Sequence, residues 1–369
     1  MQFSCNTKAL SEALSVTSRA VAAKTSLPAL EGIYLKANEN QVIVRAYNLE
    51  LGISTTLAAD CKEDGEIVLN AKLFSDMVRR LPTDTLTIQS NNKLLTTITS
   101  GTTEFTILGT SAEEFPELPT LTDGTALHLP ENILSSMIKQ TIFAVSTDES
   151  NPIHTGILFE LHDQTIRLVA VDGFRLAIRT EKIEETTSLS FVVPGKTLNE
   201  IFKMLHAESE DVITLTISEK HLSLKINQYT LISRLLEGQF LDYKSVLSGT
   251  TATTIKINTR NFINSIDRAS LLITDRLKSP VRCTFKENHI HIHCSSSIGK
   301  IYDEIDANIE GDDCEIGFNN HYLLDALRAA DTDEIRVELS GALAPMKIYP
   351  PENDDFIFLV LPVRLTANA

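Results

Sequence analysis

Short apolar runs, each followed by an amphipathic helix, recur along this chain at a long and nearly constant interval. VLNAKLFSDMVRRLP (68–82), VVPGKTLNEIFKMLH (192–206) and IGFNNHYLLDALRAA (316–330) share one pattern. A few apolar residues lead to a small or polar break, then to apolar positions at helical spacing. Lys72, Lys196 and His321 hold the same place in each, with 196 − 72 = 124 and 321 − 196 = 125. A second series gives a strand and then a helix over 3–24, 127–146 and 255–275. A proline precedes the next strand each time: Pro28 before GIYL, Pro152 before TGILF, Pro280 before VRCTF. Asn6 and Asn258 stand where N-caps belong, and Pro130 suits a first helical turn.

Elsewhere the chain alternates apolar and polar residues, as in TLTIQS (85–90), VITLTIS (212–218), HLSLKI (221–226) and IRVELS (335–340). That period marks half-buried, mostly antiparallel strands. Three such units account for nearly all 369 residues. The interval is the size of a domain, far beyond the roughly 20–50 residues of a solenoid unit. The pattern predicts an α+β chain of three similar domains, each with two helices packed on antiparallel sheets. The expected limits are 1–127, 128–249 and 250–369, with breaks in the polar stretches LTDGTA and LSGTTATT.

Composition narrows the function. Hydrophobic residues make up 43% and charged residues 22%, enough for sizeable cores and unlike a disordered chain. No run of about 18 apolar residues predicts a membrane span. The start, MQFSCNTKAL, lacks the basic-then-apolar pattern of a signal peptide. Five scattered cysteines fit reduced thiols in a cytoplasm better than a disulfide framework. A net charge of −16 argues against a nucleic-acid partner, because phosphate contacts come from Lys and Arg. Local potential can differ from net charge, however. Lys8, Arg19, Lys24, Lys72, Arg79 and Arg80 lie on or beside the helices of the first repeat. Lys139, Lys196 and Lys203 do so in the second, and Arg260, Arg268 and Arg328 in the third. These are either ordinary solvated helix faces or one shared surface that meets phosphates.

Catalytic signatures are missing. There is no dinucleotide fingerprint, no P-loop and no nucleophile elbow. His289, His291 and His293 alternate along HIHIHC with Cys294 beside them and Cys283 within reach of a hairpin. That set could hold a metal, but no carboxylate is placed to orient the imidazoles, and a solvated strand face is the plainer reading. Asp172 and Arg175 in VDGFRLAIR could be an acid and an anion clamp, or the Asp-Gly step could be a turn. No catalytic residue, metal or cofactor is expected.

Eight stretches then appear in a telling order: LPALEGIYL (27–35), YNLELGI (47–53), EEFPEL (113–118), TGILFE (155–160), VDGFRLAIR (171–179), SRLLEGQFLDYKSVL (233–247), IGFNNHYLLDALRA (316–329) and LVLPVRL (359–365). With them the chain resembles the bacterial DNA polymerase III beta subunits, the sliding clamps, over essentially its full length. The resemblance implies a head-to-tail homodimer whose six domains close a ring, with helices inside and sheets outside. Such a ring is a non-enzymatic processivity factor. It encircles double-stranded DNA without reading sequence and tethers the replicative polymerase, the clamp loader and repair proteins through short peptide motifs.

The same resemblance implies a client-peptide pocket of His154, Val171, Gly173, Phe174, Arg175, Leu176, Leu241, Ser245, Val246 and the tail Leu359, Val360, Leu361, Pro362, Val363, Arg364 and Leu365. It implies DNA-facing cations at Lys24, Lys72, Arg80, Lys196, Arg276 and Lys278, and a dimer seam of Phe105 and Ile107 against Leu271 and Leu272. His154 stands where an aliphatic residue is frequent, and Phe174 where His is also seen. Leu241 replaces a proline and Ser245 a basic residue, while Thr366 to Ala369 extend past the usual end. Two other readings compete: an enzyme of carbohydrates or nucleotides on repeated α+β domains, and a clamp-like paralogue that no longer serves the replicative polymerase.

Overall fold

The computed structural model describes residues 1–121, 123–273 and 279–365. The first run of elements is β1 (Gln2–Asn6), α1 (Thr7–Thr17), β2 (Gly32–Asn38), β3 (Gln41–Tyr47), β4 (Leu51–Ala58), β5 (Asp60–Glu63), β6 (Gly65–Asn70), α2 (Ala71–Val78), β7 (Thr85–Ser90), β8 (Leu95–Ser100) and β9 (Thr103–Leu108). The second is β10 (Thr125–Pro130), α3 (Glu131–Thr141), β11 (Gly156–His162), β12 (Thr165–Val171), β13 (Arg175–Lys182), β14 (Leu189–Pro194), α4 (Gly195–Phe202), β15 (Val212–Ile217), β16 (His221–Ile226) and β17 (Tyr229–Arg234). It is followed by a short helix, α5 (Tyr243–Leu247), that the apolar pattern does not announce. The third is β18 (Thr253–Asn258), α6 (Thr259–Ser270), β19 (Val281–Lys286), β20 (His289–Ser296), β21 (Gly299–Asp306), β22 (Asn308–Gly311), β23 (Cys314–Phe318), α7 (Asn320–Ala330), β24 (Glu334–Leu339), β25 (Met346–Tyr349) and β26 (Phe356–Val360).

Local chemistry sets the strand-to-helix steps. Asn6, Asn70, Asn258 and Asn319 each end a strand or follow one, and each side chain accepts an amide of the first helical turn at 2.9–3.0 Å. Such a cap contributes about 1 kcal/mol. Pro130 departs from expectation. It is the last residue of β10, and α3 begins at Glu131. β10 is the edge of its sheet, where a missing N–H costs no ladder bond on the open side. The helices then bury one stripe each: Leu10, Ala13 and Leu14 in α1, Phe262, Ile266 and Ala269 in α6, Leu323, Leu327 and Ala330 in α7.

The repeats also agree at the hairpins. Glu39–Asn40, Asp163–Gln164 and Glu287–Asn288 turn β2 into β3, β11 into β12 and β19 into β20, all with φ between 48° and 62°. Paired positive φ values give the twist that a two-residue hairpin needs. A second signature is a bridge made from within the sixth strand of the first run and its counterparts: Val68 with Thr110, Val192 with Leu236, and Gly317 with Val363.

Contacts divide the chain into two compact units. One holds Met1–Glu131, Lys203–Leu205 and Glu210–Leu235; the other holds Asn132–Phe202, His206–Ser209 and residues 236 onward. Within the first, five strands lie in the order β5-β1-β7-β8-β9 and eight in the order β10-β15-β16-β17-β4-β3-β2-β6. Within the second, nine strands lie in the order β14-β11-β12-β13-β26-β25-β24-β18-β22 and four in the order β21-β20-β19-β23. All pairings are antiparallel. Successive repeats are therefore joined by main chain: β4 of the first pairs β17 of the second, with Ile53 opposite Leu231, and β13 pairs β26, with Ala177 opposite Phe358. Among the described residues each sheet keeps two end strands; β9 ends the first and β21 the fourth.

Candidate functional site

The tightest gathering of sequence-predicted residues surrounds the β13–β26 junction. Val171, Leu176 and Leu359 are buried there with Ile153, Leu158, Val169, Ile178, Val192 and Tyr243, and Phe240 packs on this floor. Val360 is fully buried as well. Around the floor stand apolar side chains that remain open to solvent: Phe174 is 55% exposed, Leu241 41%, Val246 39%, and Leu361 and Val363 38% each. A soluble surface seldom leaves five such residues around one apolar floor without a partner to cover them.

A turn builds one wall. Asp172 Oδ1 accepts the amides of Phe174 and Arg175, both at 3.0 Å, and Gly173 takes φ +86° between them. Arg175 Nε donates to Asp172 Oδ2 at 2.9 Å, and its Nη1 donates to Asp325 on α7. The guanidinium also lies 4.8 Å from the Tyr322 ring centre and 5.5 Å from that of Phe143. Both Asp172 oxygens are thus engaged in holding the turn and Arg175, so the Asp-Gly step is a turn. Phe174 stacks on Tyr322 with centroids 5.4 Å apart and planes 20° apart.

Opposite, α5 carries Leu241 just before it, with Ser245 and Val246 within it. Tyr243 anchors the helix: its hydroxyl donates to Glu160 and accepts from Arg167 Nη1 at 3.2 Å. Burial, with help from Glu160, pushes the Tyr243 phenol up to about 12. Ser245 Oγ is spent on the Asp242 carbonyl at 2.8 Å. Lys347, 7% exposed, donates to the Leu247 carbonyl at 2.8 Å and holds the far end. His154 lies edge-on to Phe240 at 5.4 Å, and burial holds its imidazole below the usual value. The tail closes the site. The Leu361 amide donates to the Phe174 carbonyl at 2.9 Å, and the Val363 amide to the Gly317 carbonyl at 2.8 Å. Pro362 and Leu365 are half-buried and Arg364 is exposed. Phe143, Phe240, Tyr243, Tyr322 and Asp325 escaped the sequence reading, because nothing local ties them to β13.

The cations sort differently. Lys72, Lys196 and His321 are each the second residue of a helix, and all are exposed. A cation there opposes the helix dipole, so local stability does not account for it. Lys24 and Lys72 form no ion pair among the described residues. Lys196 meets Glu149 at 3.6 Å with both side chains over 80% exposed, a weak and salt-sensitive pairing. Arg80 contacts Asp76 at 3.4 Å, Lys139 meets Asp331 at 2.8 Å, and Arg328 meets Asp267 at 2.8 Å. Arg276 and Lys278 lie outside the described residues, as do Thr366 to Ala369.

Phe105 and Ile107 point to the inner face of edge strand β9, half-buried beside Ile98 and Thr96. Leu271, 79% exposed, caps α6, and Leu272 reaches the start of β21, where a Cβ on Gly299 would lie 3.5 Å from it. The histidine strand divides its ligands. His289, His291 and His293 face one side of β20, while Cys294 and Cys283 are fully buried on the other. Period two makes that split unavoidable. Among the described residues no group of His, Cys, Asp and Glu is arranged to hold a metal. His291 instead meets Tyr302 at 2.8 Å and Glu304 at 3.2 Å.

Comparison with known proteins gives a consistent result. Residues 1–119, 128–242 and 244–364 match the N-terminal, central and C-terminal domains of the DNA polymerase III beta subunit. The beta sliding clamp of Bacillus subtilis (strain 168) is 34% identical over 377 residues, covering 99% of this chain and all of that one. The crystal structure of the Bacillus subtilis DNA polymerase sliding clamp superposes with a TM-score of 0.95 at 34% identity, covering 99% of this chain and 100% of that one. The DNA polymerase III beta chain from Streptococcus pneumoniae TIGR4 gives 0.93 at 28% identity, with the same coverage.

Proposed function

The chain belongs to the DNA polymerase III beta subunit family, the bacterial sliding clamps, and from that premise we propose how its own residues close a ring, meet DNA and hold client proteins. It works as a processivity factor: it encircles double-stranded DNA as a homodimer and tethers the replicative polymerase and other clamp-binding proteins. No step of this work needs an active site of its own or a cofactor. We assign it to the cytoplasm, where its five free cysteines stay reduced. The domain limits near residues 127 and 249 follow the repeat.

The observation that carries this reading is the register that the end strands β9 and β21 share with the two internal junctions. Leu231, Phe358 and Phe105 each lie five residues before a bridge residue, namely Leu236, Val363 and Thr110. Ile53, Ala177 and Ile301 each lie thirteen residues after the second hairpin residue, since 53 − 40 = 177 − 164 = 301 − 288 = 13. Ile53 faces Leu231 and Ala177 faces Phe358 at the two internal junctions. By the same register Phe105 faces Ile301 of the partner subunit, so β9 and β21 complete the series. Leu271 and Leu272 then cover the joint. Two such joints pair β9 and β21 of each protomer, and rotation closes the assembly.

DNA contact falls to Lys24, Lys72, Arg80, Lys196, Arg276 and Lys278. Helix N-terminal amides beside Lys72 and Lys196 add to their charge, an arrangement suited to phosphates and indifferent to bases. The apolar site at β13–β26 takes client motifs. A buried floor with exposed apolar walls lets a few anchors carry most of the affinity. His154, Phe174, Leu241 and Ser245 tune which motifs fit. The test is retention on DNA after loading with clamp loader and ATP. The ring stays on closed circles and leaves linear molecules by their ends; equal retention on both overturns the topological reading.

A further inference from the structure

The internal repeat places a second cleft where the client groove would recur. It occupies about 730 Å³ over β2, β3 and β4, walled by residues 112–121. Tyr47 ends β3 as Val171 ends β12, and the positive-φ residue two positions on is Leu49 (74°) in one and Gly173 (86°) in the other. The wall folds back as the segment before α5 does. Phe115 packs on Tyr34 with ring centres 5.2 Å apart, whereas Phe240 packs on His154, whose counterpart in the first repeat is Leu30; both phenylalanines nonetheless lie on the apolar floor of their own repeat.

Two differences change what the cleft can hold. Gly52 stands where the client groove has Leu176, and the space is taken by Leu118, whose Cδ2 would lie 2.2 Å from a Cβ there. The apolar slot is therefore filled by the chain itself. What remains open is polar: Lys36, Arg45, Ser54, Thr216 and Ser223. Arg45 Nε is buried with no hydrogen-bond partner, and its guanidinium lies 5.8 Å from the Tyr34 ring centre. Neither Lys36 nor Arg45 forms an ion pair among the described residues, in a chain with 49 acidic and 33 basic side chains. Glu66 is in the cleft, but it accepts the Tyr34 hydroxyl at 2.6 Å. Glu113 and Glu117 stand on the wall, so three carboxylates face two cations in the lining; that excludes a polyanion such as nucleic acid and leaves room for one carboxylate at Lys36 and Arg45.

We propose that this cleft is a second docking groove, which takes a short extended polypeptide segment through one carboxylate side chain. The carboxylate bridges Lys36 and Arg45, and the flanking residues lie on Ile232 and the Phe115 wall. The charge requirement comes from the cations alone; the polypeptide nature rests on the reading of the counterpart groove.

The test uses the full-length dimer with labelled isoleucine methyls. The probe is an N-acetylated, C-amidated pentapeptide with one glutamate between leucines, beside its glutamine analogue. Ile232 reports this cleft and Ile357, packed on the client floor, reports the other groove. The expected result is a saturable shift of Ile232 with the glutamate peptide, weakened about tenfold by the glutamine analogue and by the exposed-site variant Lys36→Gln, the size of a lost charge-assisted contact. No Ile232 shift at millimolar peptide, or equal shifts with both peptides, overturns the inference. Movement of Ile357 alone does so too and leaves the client groove standing. Movement of Ile232 alone counts against the client groove and supports this one.

Discussion

The Val363 amide donates to the Gly317 carbonyl at 2.8 Å, and that bond seats the end of the described chain against β23. The counterparts of Gly317 are Val68, paired with Thr110, and Val192, paired with Leu236. Glycine replaces valine only in the third repeat. A Cβ at 317 would lie 2.6 Å from Leu365 Cδ2 and 2.9 Å from the Val363 carbonyl oxygen, so the tail needs that space. The missing side chain leaves the room that Val363 and Leu365 occupy.

Restoring the repeat's own residue is therefore disruptive here. Gly317→Val lifts Val363 to Leu365 from the sheet, with an overpacking cost of about 1–3 kcal/mol. Client-peptide affinity falls roughly tenfold, about 1.4 kcal/mol, while the dimer persists. Removing Leu361 to Ala369 abolishes client binding outright and also leaves the dimer intact. Fluorescence anisotropy with a labelled polymerase peptide and light scattering measure both. Unchanged affinity in the truncated protein would show that the tail is no part of the groove.

The seam register gives a covalent test. Phe105→Cys with Ile301→Cys yields a protein that forms intersubunit disulfides on mild oxidation, since directly opposed residues bring Cβ atoms about 4.5–5.5 Å apart. The mismatched pair Thr106→Cys with Ile301→Cys does not, because its side chains leave opposite faces. Separately, Phe105→Arg places an unpaired charge in the joint and gives monomers at micromolar concentration. A non-reducing gel and sizing with light scattering decide. A dimeric Phe105→Arg protein removes that residue from the interface.

Much of this fold is visible in local pattern, because caps, hairpin turns and amphipathic stripes are written over a few residues. Asn6 and Asn258 cap their helices as expected, and TLTIQS is β7 residue for residue. What joins one repeat to the next is not local. Leu51 pairs with Ser233 across 182 positions, and no propensity names that partner. The residues proposed for the client groove were nominated by resemblance alone. Composition could not separate Val171 and Leu359, which are floor, from Phe174 and Leu361, which are wall. The histidine strand shows the converse. Alternation already places Cys294 opposite in facing to His289, His291 and His293, so the mixed metal set could have been discarded from the period.

Retention on DNA should be weak, salt-dependent and graded in the cations. Lys24→Gln, Lys72→Gln and Lys196→Gln each remove an exposed charge with little structural cost, since surface pairs such as Lys196–Glu149 contribute about 0–1 kcal/mol. Each is expected to lower the slope of log affinity against log salt by about 1 if that lysine meets a phosphate. Circular-DNA retention at several salt concentrations measures it. A slope unchanged in the triple variant would move the DNA contact off these helix ends.

Client binding should also depend on pH through His154. Burial disfavours the charged imidazole, so its folded pKa lies below the usual 6.5. The unfolded chain then takes the proton first as pH falls, and stability that is complete above 6.5 declines below it. His221 is lowered in the same direction by burial, then by Arg234 and Lys220, and adds to that decline. Only His154 borders the groove, beside Phe240, where a bound peptide deepens its burial. Affinity is therefore expected to be flat at neutral pH and to weaken only as the pH falls through the lowered pKa of His154 in the folded protein. His154→Met removes the dependence of binding on pH, whereas His221→Gln alters only the pH dependence of thermal unfolding. Anisotropy titrations from acid to neutral pH, run beside melting curves, separate the two. A His154→Met protein that still loses client affinity on acidification would place the titrating group elsewhere in the groove.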